Sequence, residues 1–183
     1  DKQPDAWIGK NLQGDKLKCN TEEKIVAHTG LCAYRFKGGA ANKSKLQQDI
    51  ILDPLILDGG NTLTLTGYAK TGSSPLAFKV KVRVSYADDT TAKIVLTASP
   101  ASGDYVPLNG ADNLSLNGKS IDLIRVQIKD KSTGGKIWID SMSLLWMLEG
   151  TATEQIMPLP LTVPLPALRP AATFGENTFN QSR

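Results

Sequence analysis

Apolar and polar residues alternate along most of this chain, and a period of two predicts strands. The clearest case is residues 78–86, FKVKVRVSY, which place their phenylalanine, valines and tyrosine on one face and their basic residues on the other. Successive side chains of a strand point to opposite faces, so one side of this segment covers a core and the other meets solvent. After the turn Ala-Asp-Asp-Thr, residues 91–97 alternate again, which predicts a hairpin.

The same alternation recurs at intervals from one end of the chain to near the other. A short strand and turn are predicted for residues 21–30. The inward set of residues 135–148, GKIWIDSMSLLWML, changes phase after the second isoleucine, which predicts a β-bulge near Asp140 and Ser141. No window predicts an amphipathic helix. Eight or nine short strands predict an all-β fold, an antiparallel β-sandwich spanning residues 1–148.

Residues 149–183 have a different composition and are predicted to form an extended, proline-rich C-terminal strand or tail. In Met157–Ala167, MPLPLTVPLPA, every proline falls on an even position and every large apolar residue on an odd one. An extended strand with this pattern keeps its backbone donors along one edge and loses them along the other. It can add to one sheet edge without offering a template to a further strand.

This pattern favours a self-assembly hypothesis, in which each tail adds a strand to a neighbouring copy and builds a filament. Two other interpretations remain open: a flexible linker, and a tail that folds back on its own domain. The apolar residues predicted to take part in self-assembly are Met157, Leu159, Leu161, Val163, Leu165, Phe174 and Phe179.

Composition and charge narrow the choice of partners. The 183 residues carry a net charge of +3 with both signs interleaved, which indicates neither a nucleic-acid nor a membrane partner. No apolar run approaches the roughly 20 residues that a membrane-spanning helix needs. The chain begins in the loop-like sequence DKQPD, so we expect it to be processed or incomplete at its front.

The two cysteines, Cys19 and Cys32, favour a disulfide, with two buried thiols as the alternative. A disulfide indicates an oxidising, extracellular or cell-surface location.

Catalytic motifs are absent from the sequence. His28 is the single histidine, and no G-x-S-x-G or comparable nucleophile motif accompanies it, so we interpret it as a polar residue beside a turn. Asp88 and Asp89 lie between two predicted strands and fit a hairpin turn. The chain is therefore predicted not to be an enzyme.

Over roughly residues 5–148, a series of motifs resembles the carbohydrate-binding-module type of jelly roll, similar to the galactose-binding-like modules of secreted bacterial proteins. The motifs are HTGLCAYRFKGG, SKLQQDI, LTLTGYAKT, KVKVRVSYADDT, DYVPL and GKIWIDSMSL. The resemblance implies a secreted, non-catalytic sandwich, often with a structural calcium. Asp140 is the one residue that matches a calcium ligand, because the usual acidic opening strand and the second aspartate are missing.

This resemblance implies the alternative function, a carbohydrate-binding module of a larger secreted or surface protein with polysaccharide as its partner. Sugar rings need flat aromatic faces, and the period of two turns Tyr68 and Trp138 outward, with Trp7 as a candidate on a loop. Covering a sheet or meeting a neighbouring subunit is the other interpretation of these rings. The remaining tyrosines and tryptophan on predicted strands fall on inward phases and are predicted to be core: Tyr34, Tyr86 and Trp146.

Overall fold

The computed structural model describes residues 4–39, 42–50, 61–72, 78–98, 102–116, 118–147 and 154–158; for 61, 102 and 154–158 it describes the backbone alone. In this part of the chain two antiparallel sheets pack face to face, so the predicted all-β sandwich is confirmed. It has thirteen strands where eight or nine were predicted, because six of them are only three to five residues long.

The strands in chain order are β1 (Ile8–Lys10), β2 (Lys16–Cys19), β3 (Cys32–Phe36), β4 (Ser44–Ile50), β5 (Asn61–Thr71), β6 (Phe78–Tyr86), β7 (Thr91–Thr97), β8 (Ser102–Pro107), β9 (Asn109–Ala111), β10 (Asn113–Leu116), β11 (Ile121–Asp130), β12 (Ile137–Met147) and β13 (Glu154–Pro158). Sheet A has the order β1-β4-β11-β6-β7-β9. Sheet B has the order β10-β5-β12-β3-β2, with β8 also paired to β5 and β13 also paired to β12.

The core lies between the sheets and is built from the inward residues of the alternating strands. In β6, Phe78, Val80, Val82 and Val84 are each at most 2% exposed. Burying a side chain of this kind stabilises the fold by roughly 1.5–3 kcal/mol. If the strand register shifted by one residue, lysines and an arginine would point into the core in place of these side chains. The burial of this face therefore also sets the register.

The β-bulge predicted in β12 is confirmed. Its register with β5 shifts between Asp140 and Ser143, and Ser141 takes a left-handed conformation with φ of 51°. Opposite the bulge, a Cβ built on Gly67 would lie 2.2 Å from the sulfur of Met142. A larger residue there would force the side chain of Met142, which the bulge turns inward, to move.

One edge of β12 is shared between two strands on either side of this bulge. Before the bulge, residues 137–139 pair with β3; after it, residues 143–147 pair with β13. The first residues of the predicted tail therefore complete the sheet of their own domain, with Met157 opposite Leu144. Donation of a strand to a neighbouring copy has no support in this arrangement. The other predicted self-assembly residues lie outside the described part of the chain: Leu159, Leu161, Val163, Leu165, Phe174 and Phe179.

Residues 20–31 form a loop between β2 and β3, where a short strand and turn were predicted. Within the described structure, this loop contains one isolated β-bridge, between Thr21 and Lys24. No helix within the described ranges is long and apolar enough to cross a membrane.

Candidate functional site

The outer face of sheet B carries a row of side chains that crosses four neighbouring strands. Trp138 on β12 lies directly opposite Lys70 on one side and Arg35 on the other, and Arg35 lies opposite Lys16. Residues opposite each other on one sheet face have adjacent side chains. The row therefore places a half-buried indole between two cationic groups.

The contacts of Arg35 hold it beside the indole. Its guanidinium carbon lies 5.8 Å from the centre of the Trp138 ring, within the range of a cation–π contact. Its Nη2 donates to the carbonyl oxygen of Gly14 at 3.1 Å. Two anchors, one to a ring and one to the backbone, fix the direction of the remaining guanidinium donors.

Three more rings lie together on the same side of the sheet. The imidazole of His28 stacks on Tyr68, with ring centres 4.0 Å apart and planes at 22°, and lies 5.3 Å from the ring of Tyr105. The ammonium of Lys70 is 5.9 Å from the Tyr105 ring, so this lysine connects the ring cluster to the row containing Trp138. The imidazole of His28 stacks on Tyr68 at 4.0 Å, whereas the Arg35 guanidinium lies 5.8 Å from the centre of the Trp138 ring, so Trp138 is the better candidate for contact with a flat ligand.

A disulfide closes the loop that brings His28 to this face. Cys19 and Cys32 are directly opposite in β2 and β3 and are bonded, which confirms the predicted pairing. Inside the loop, Oδ1 of Asn20 accepts hydrogen bonds from the backbone N–H groups of Val26 and Ala27, at 2.7 and 3.0 Å. These bonds give the loop a defined shape before it reaches the sheet.

Asp140 anchors the loop to the bulge of β12. Its carboxylate is fully buried, and Oδ2 accepts the backbone N–H groups of His28 at 2.6 Å and Thr29 at 3.1 Å. Oδ1 accepts the N–H of Ser141 at 2.6 Å. The hydroxyl of Ser141 also lies 3.1 Å from Nδ1 of His28, so the bulge holds the imidazole as well as the backbone beside it.

The sequence predicted Asp140 as a calcium ligand, and that role stays a prediction; in the structure its carboxylate anchors the loop. The described residues contain no group of three or more histidine, cysteine, aspartate or glutamate side chains that could hold a metal ion.

Tyr105 fastens the same loop from the side of β8. Its hydroxyl donates to the carbonyl oxygen of Val26 at 2.6 Å. Burial, followed by the negative charge of Asp140, raises the pKa of this phenol far above its usual value. Tyr105 therefore stays a neutral hydrogen-bond donor over the whole range in which the protein would function.

The aromatic residues predicted from sequence have three different outcomes. Tyr68 and Trp138 do lie on the outer face, half-buried, while sugar contact by either stays a prediction. Trp7, predicted as a sugar-binding residue on a loop, is 2% exposed and packs in the core. The remaining residues predicted to be core are confirmed: Tyr34, Tyr86 and Trp146.

Sequence reasoning missed the part that His28, Tyr105 and Lys70 play on this face. Lys70 shares the outward phase of Tyr68, two residues away, and this spacing was a usable signal. His28 and Tyr105 reach the face through long-range pairing and loop folding, which leave no local pattern.

Comparison with known proteins identifies the fold and no closer relationship. No protein-family model matches the sequence, and no curated protein matches it either. Among solved structures, the C-terminal family 22 carbohydrate-binding module of Clostridium thermocellum xylanase 10B is 14% identical, with a TM-score of 0.50, over 81% of this chain and 89% of that one.

Two larger proteins contain the same fold. One comprises the CBM22-1 and GH10 modules of the same C. thermocellum xylanase, complexed with xylohexaose, at 15% identity, a TM-score of 0.50 and 80% coverage of this chain. The other is the enzymatically active domain of bacteriophage CBA120 tailspike protein 4, at 12% identity, a TM-score of 0.51 and 79% coverage. This chain spans only 26% and 19% of their respective lengths.

The jelly roll of carbohydrate-binding modules, expected from the motifs, is thus the fold of this chain. Identities of this size establish fold alone, and one fold serves many functions. The function must be argued from the site.

Proposed function

We propose that this domain is a non-catalytic carbohydrate-binding module that holds a saccharide on the outer face of sheet B. The observation that carries the proposal is the half-buried indole of Trp138 between Arg35 and Lys70. An indole offers an apolar face to the C–H groups of a sugar ring, and cationic side chains beside it donate hydrogen bonds to hydroxyl oxygens.

The disulfide-closed loop forms one boundary of the site. Asp140 and Tyr105 hold it on the sheet, and it carries the exposed side chains of His28 and Thr29. A loop that is ordered before binding loses little conformational entropy when the ligand arrives. We infer that it acts as a fixed wall beside the indole.

We propose an extracellular or cell-surface location, because a disulfide persists in an oxidising environment. The low share of the xylanase and tailspike chains that this fold occupies also supports a module within a larger protein.

Binding to xylan and xylohexaose is the first test, since one protein of this fold was crystallised with xylohexaose. Isothermal titration and affinity electrophoresis would compare wild type with Trp138→Ala across these and other neutral plant polysaccharides. We expect Trp138→Ala to weaken saccharide binding at least roughly tenfold, because the aromatic platform of the site is removed.

Met147→Ala is the matched control, an exposed apolar residue on the same strand. It should bind as wild type does, and circular dichroism would verify that both variants are folded. Equal binding by Trp138→Ala and wild type, or the absence of binding by wild type to every polysaccharide tested, would overturn the proposal.

A further inference from the structure

Four lysines face one another directly across the outer side of sheet A. The strand registers place Lys10 opposite Lys45, Lys45 opposite Lys129, and Lys129 opposite Lys79. Like charges in directly opposed positions destabilise a sheet. Three such pairs in one row are a feature that the needs of folding do not explain.

A second cationic row lies four residues further along the strands. Arg125 is opposite Arg83, and Arg83 is opposite Lys93. The carboxylate of Asp49 ends this row and is already bound by Arg125, at 2.7 Å from Nε and 2.6 Å from Nη2. Asp49 is the single carboxylate in the two rows, so their other cations face solvent without an anionic neighbour in the row.

Lysines from the first row, the second row and the strands and loops beside them line an open groove of about 500 Å³. We call this surface, with its two rows, the lysine face. Besides Val95, the groove is lined by Lys43, Lys79, Lys81, Lys93, Lys129 and Lys131.

Lys129, which lines the groove, has a lowered pKa. The main cause is burial of its ammonium, and the second is the positive charge of Lys81. A group whose charged form is disfavoured in the free protein gains from the arrival of an anion.

A pair of amides lies between the cationic rows. Nε2 of Gln127 donates to Oε1 of Gln47 at 2.8 Å, and the two residues are directly opposite on neighbouring strands. Amides donate to and accept from hydroxyl groups, so this central row suits a ligand with hydroxyls as well as charges. The cationic rows and the amide row contain no aromatic side chain of the kind on which nucleic-acid bases stack.

The spacing of the cations also fits a polymer. Neighbouring strands lie about 4.8 Å apart and outward residues of one strand about 7 Å apart, so the cations form two rows, each about 7 Å from the amide row between them. We propose that it binds an acidic polysaccharide with a carboxylate on its repeating sugars, at a site separate from Trp138. The charges bind the carboxylates, and the amides of Gln47 and Gln127 bind hydroxyls between them.

Affinity electrophoresis in gels containing polygalacturonate tests this proposal, with neutral xylan gels run beside them. We expect wild type to be retarded by polygalacturonate, and increasingly less so as salt rises from about 50 to 200 mM. The double variant Lys79→Gln, Lys129→Gln should bind roughly tenfold more weakly, because it removes adjacent charges from one row.

The matched control is the double variant Lys24→Gln, Lys136→Gln, with the same change in net charge at exposed positions outside the lysine face. It should be retarded as wild type is. Trp138→Ala should keep its affinity for polygalacturonate whatever it does to xylan binding, so failure of one proposal can be told from failure of the other.

Three results would overturn the inference. They are the absence of retardation of wild type at low salt, equal loss of affinity in the control variant, and equally tight, lysine-dependent binding of duplex DNA or phosphatidylserine vesicles. The last would make the lysine face a general polyanion surface.

Discussion

The two outer faces of this sandwich arise from the same alternation of residues, but their polar groups are satisfied in different ways. On sheet B, the carboxylate of Asp140 is buried beneath a loop and bonded to three backbone N–H groups. On sheet A, lysines lie opposite lysines. The first face is held by hydrogen bonds within the protein, whereas the second presents cations directly opposite one another. The comparison teaches that one fold can offer a shaped site and an electrostatic one on opposite sides of a single core.

The largest effect should come from removing the anchor of the first face. Asp140→Ala leaves three backbone N–H donors without their acceptor. Each unsatisfied donor costs about 1–3 kcal/mol, so we expect a loss of about 4 kcal/mol in the free energy of unfolding. Urea unfolding followed by tryptophan fluorescence would measure it.

Asp49→Asn is the control on the other face, where the carboxylate is part of an exposed ion pair. It should cost less than about 1 kcal/mol. A similar loss in both variants would contradict the difference that we draw between the two faces.

The disulfide allows a second, slightly smaller perturbation of the same face. Replacing Cys19 and Cys32 by serine opens a loop with a sequence separation of 13 and should cost about 3 kcal/mol by the chain-entropy estimate. Binding to neutral saccharide should weaken with it, because the loop loses its fixed shape. Polygalacturonate binding, measured in the same preparation, should be unchanged; parallel loss of both activities would show that the faces are not independent.

The smallest expected effect is an increase, and not a decrease, in the free energy of unfolding. Lys129→Gln removes repulsion from the lysine row, so we expect the free energy of unfolding to rise by a few tenths to about 1 kcal/mol while polyanion binding falls. Thermal and urea unfolding of wild type and Lys129→Gln would measure this difference in the free energy of unfolding. A loss of stability would indicate that Lys129 has a structural role.

The pH dependence of stability tests independently whether charged Lys129 destabilises the folded protein. In the folded protein the pKa of Lys129 is lowered, so between this value and 10.5 the unfolded chain binds more protons than the folded one. Titration of Lys129 should therefore raise the free energy of unfolding as pH increases through that window. Urea midpoints measured up to pH 10.5 should rise less with pH in Lys129→Gln than in wild type, and identical slopes across that range would contradict the assignment.

Local patterns were enough to predict much of the fold, and long-range pairing explains what they missed. The alternation in β5 and β6 and the phase change in β12 depend on neighbours in sequence, and all three were predictable. Which strand fills an edge is decided by the whole sheet, so the pattern around Met157 indicated a strand without indicating that β12 of the same chain would be its partner.

The sites show the same limit. The sequence placed Asp140 at a bulge but did not reveal its hydrogen-bond partners, because nothing local predicts that residues 20–31 fold across it. The basic residues of β6 were visible as a solvated face, and yet the lysine row exists only through the registers of β1, β4 and β11. The self-assembly role of the tail residues beyond Pro158 remains a prediction from sequence.

The shared edge of β12 has a practical consequence for moving this domain into other proteins. A fragment cut at the end of β12 would expose the backbone of residues 143–147, five residues that β13 covers in the intact chain. Bare edges of this length recruit strands from other molecules. A portable unit of this fold therefore extends at least to Pro158, and a fusion cut at the end of β12 would tend to aggregate.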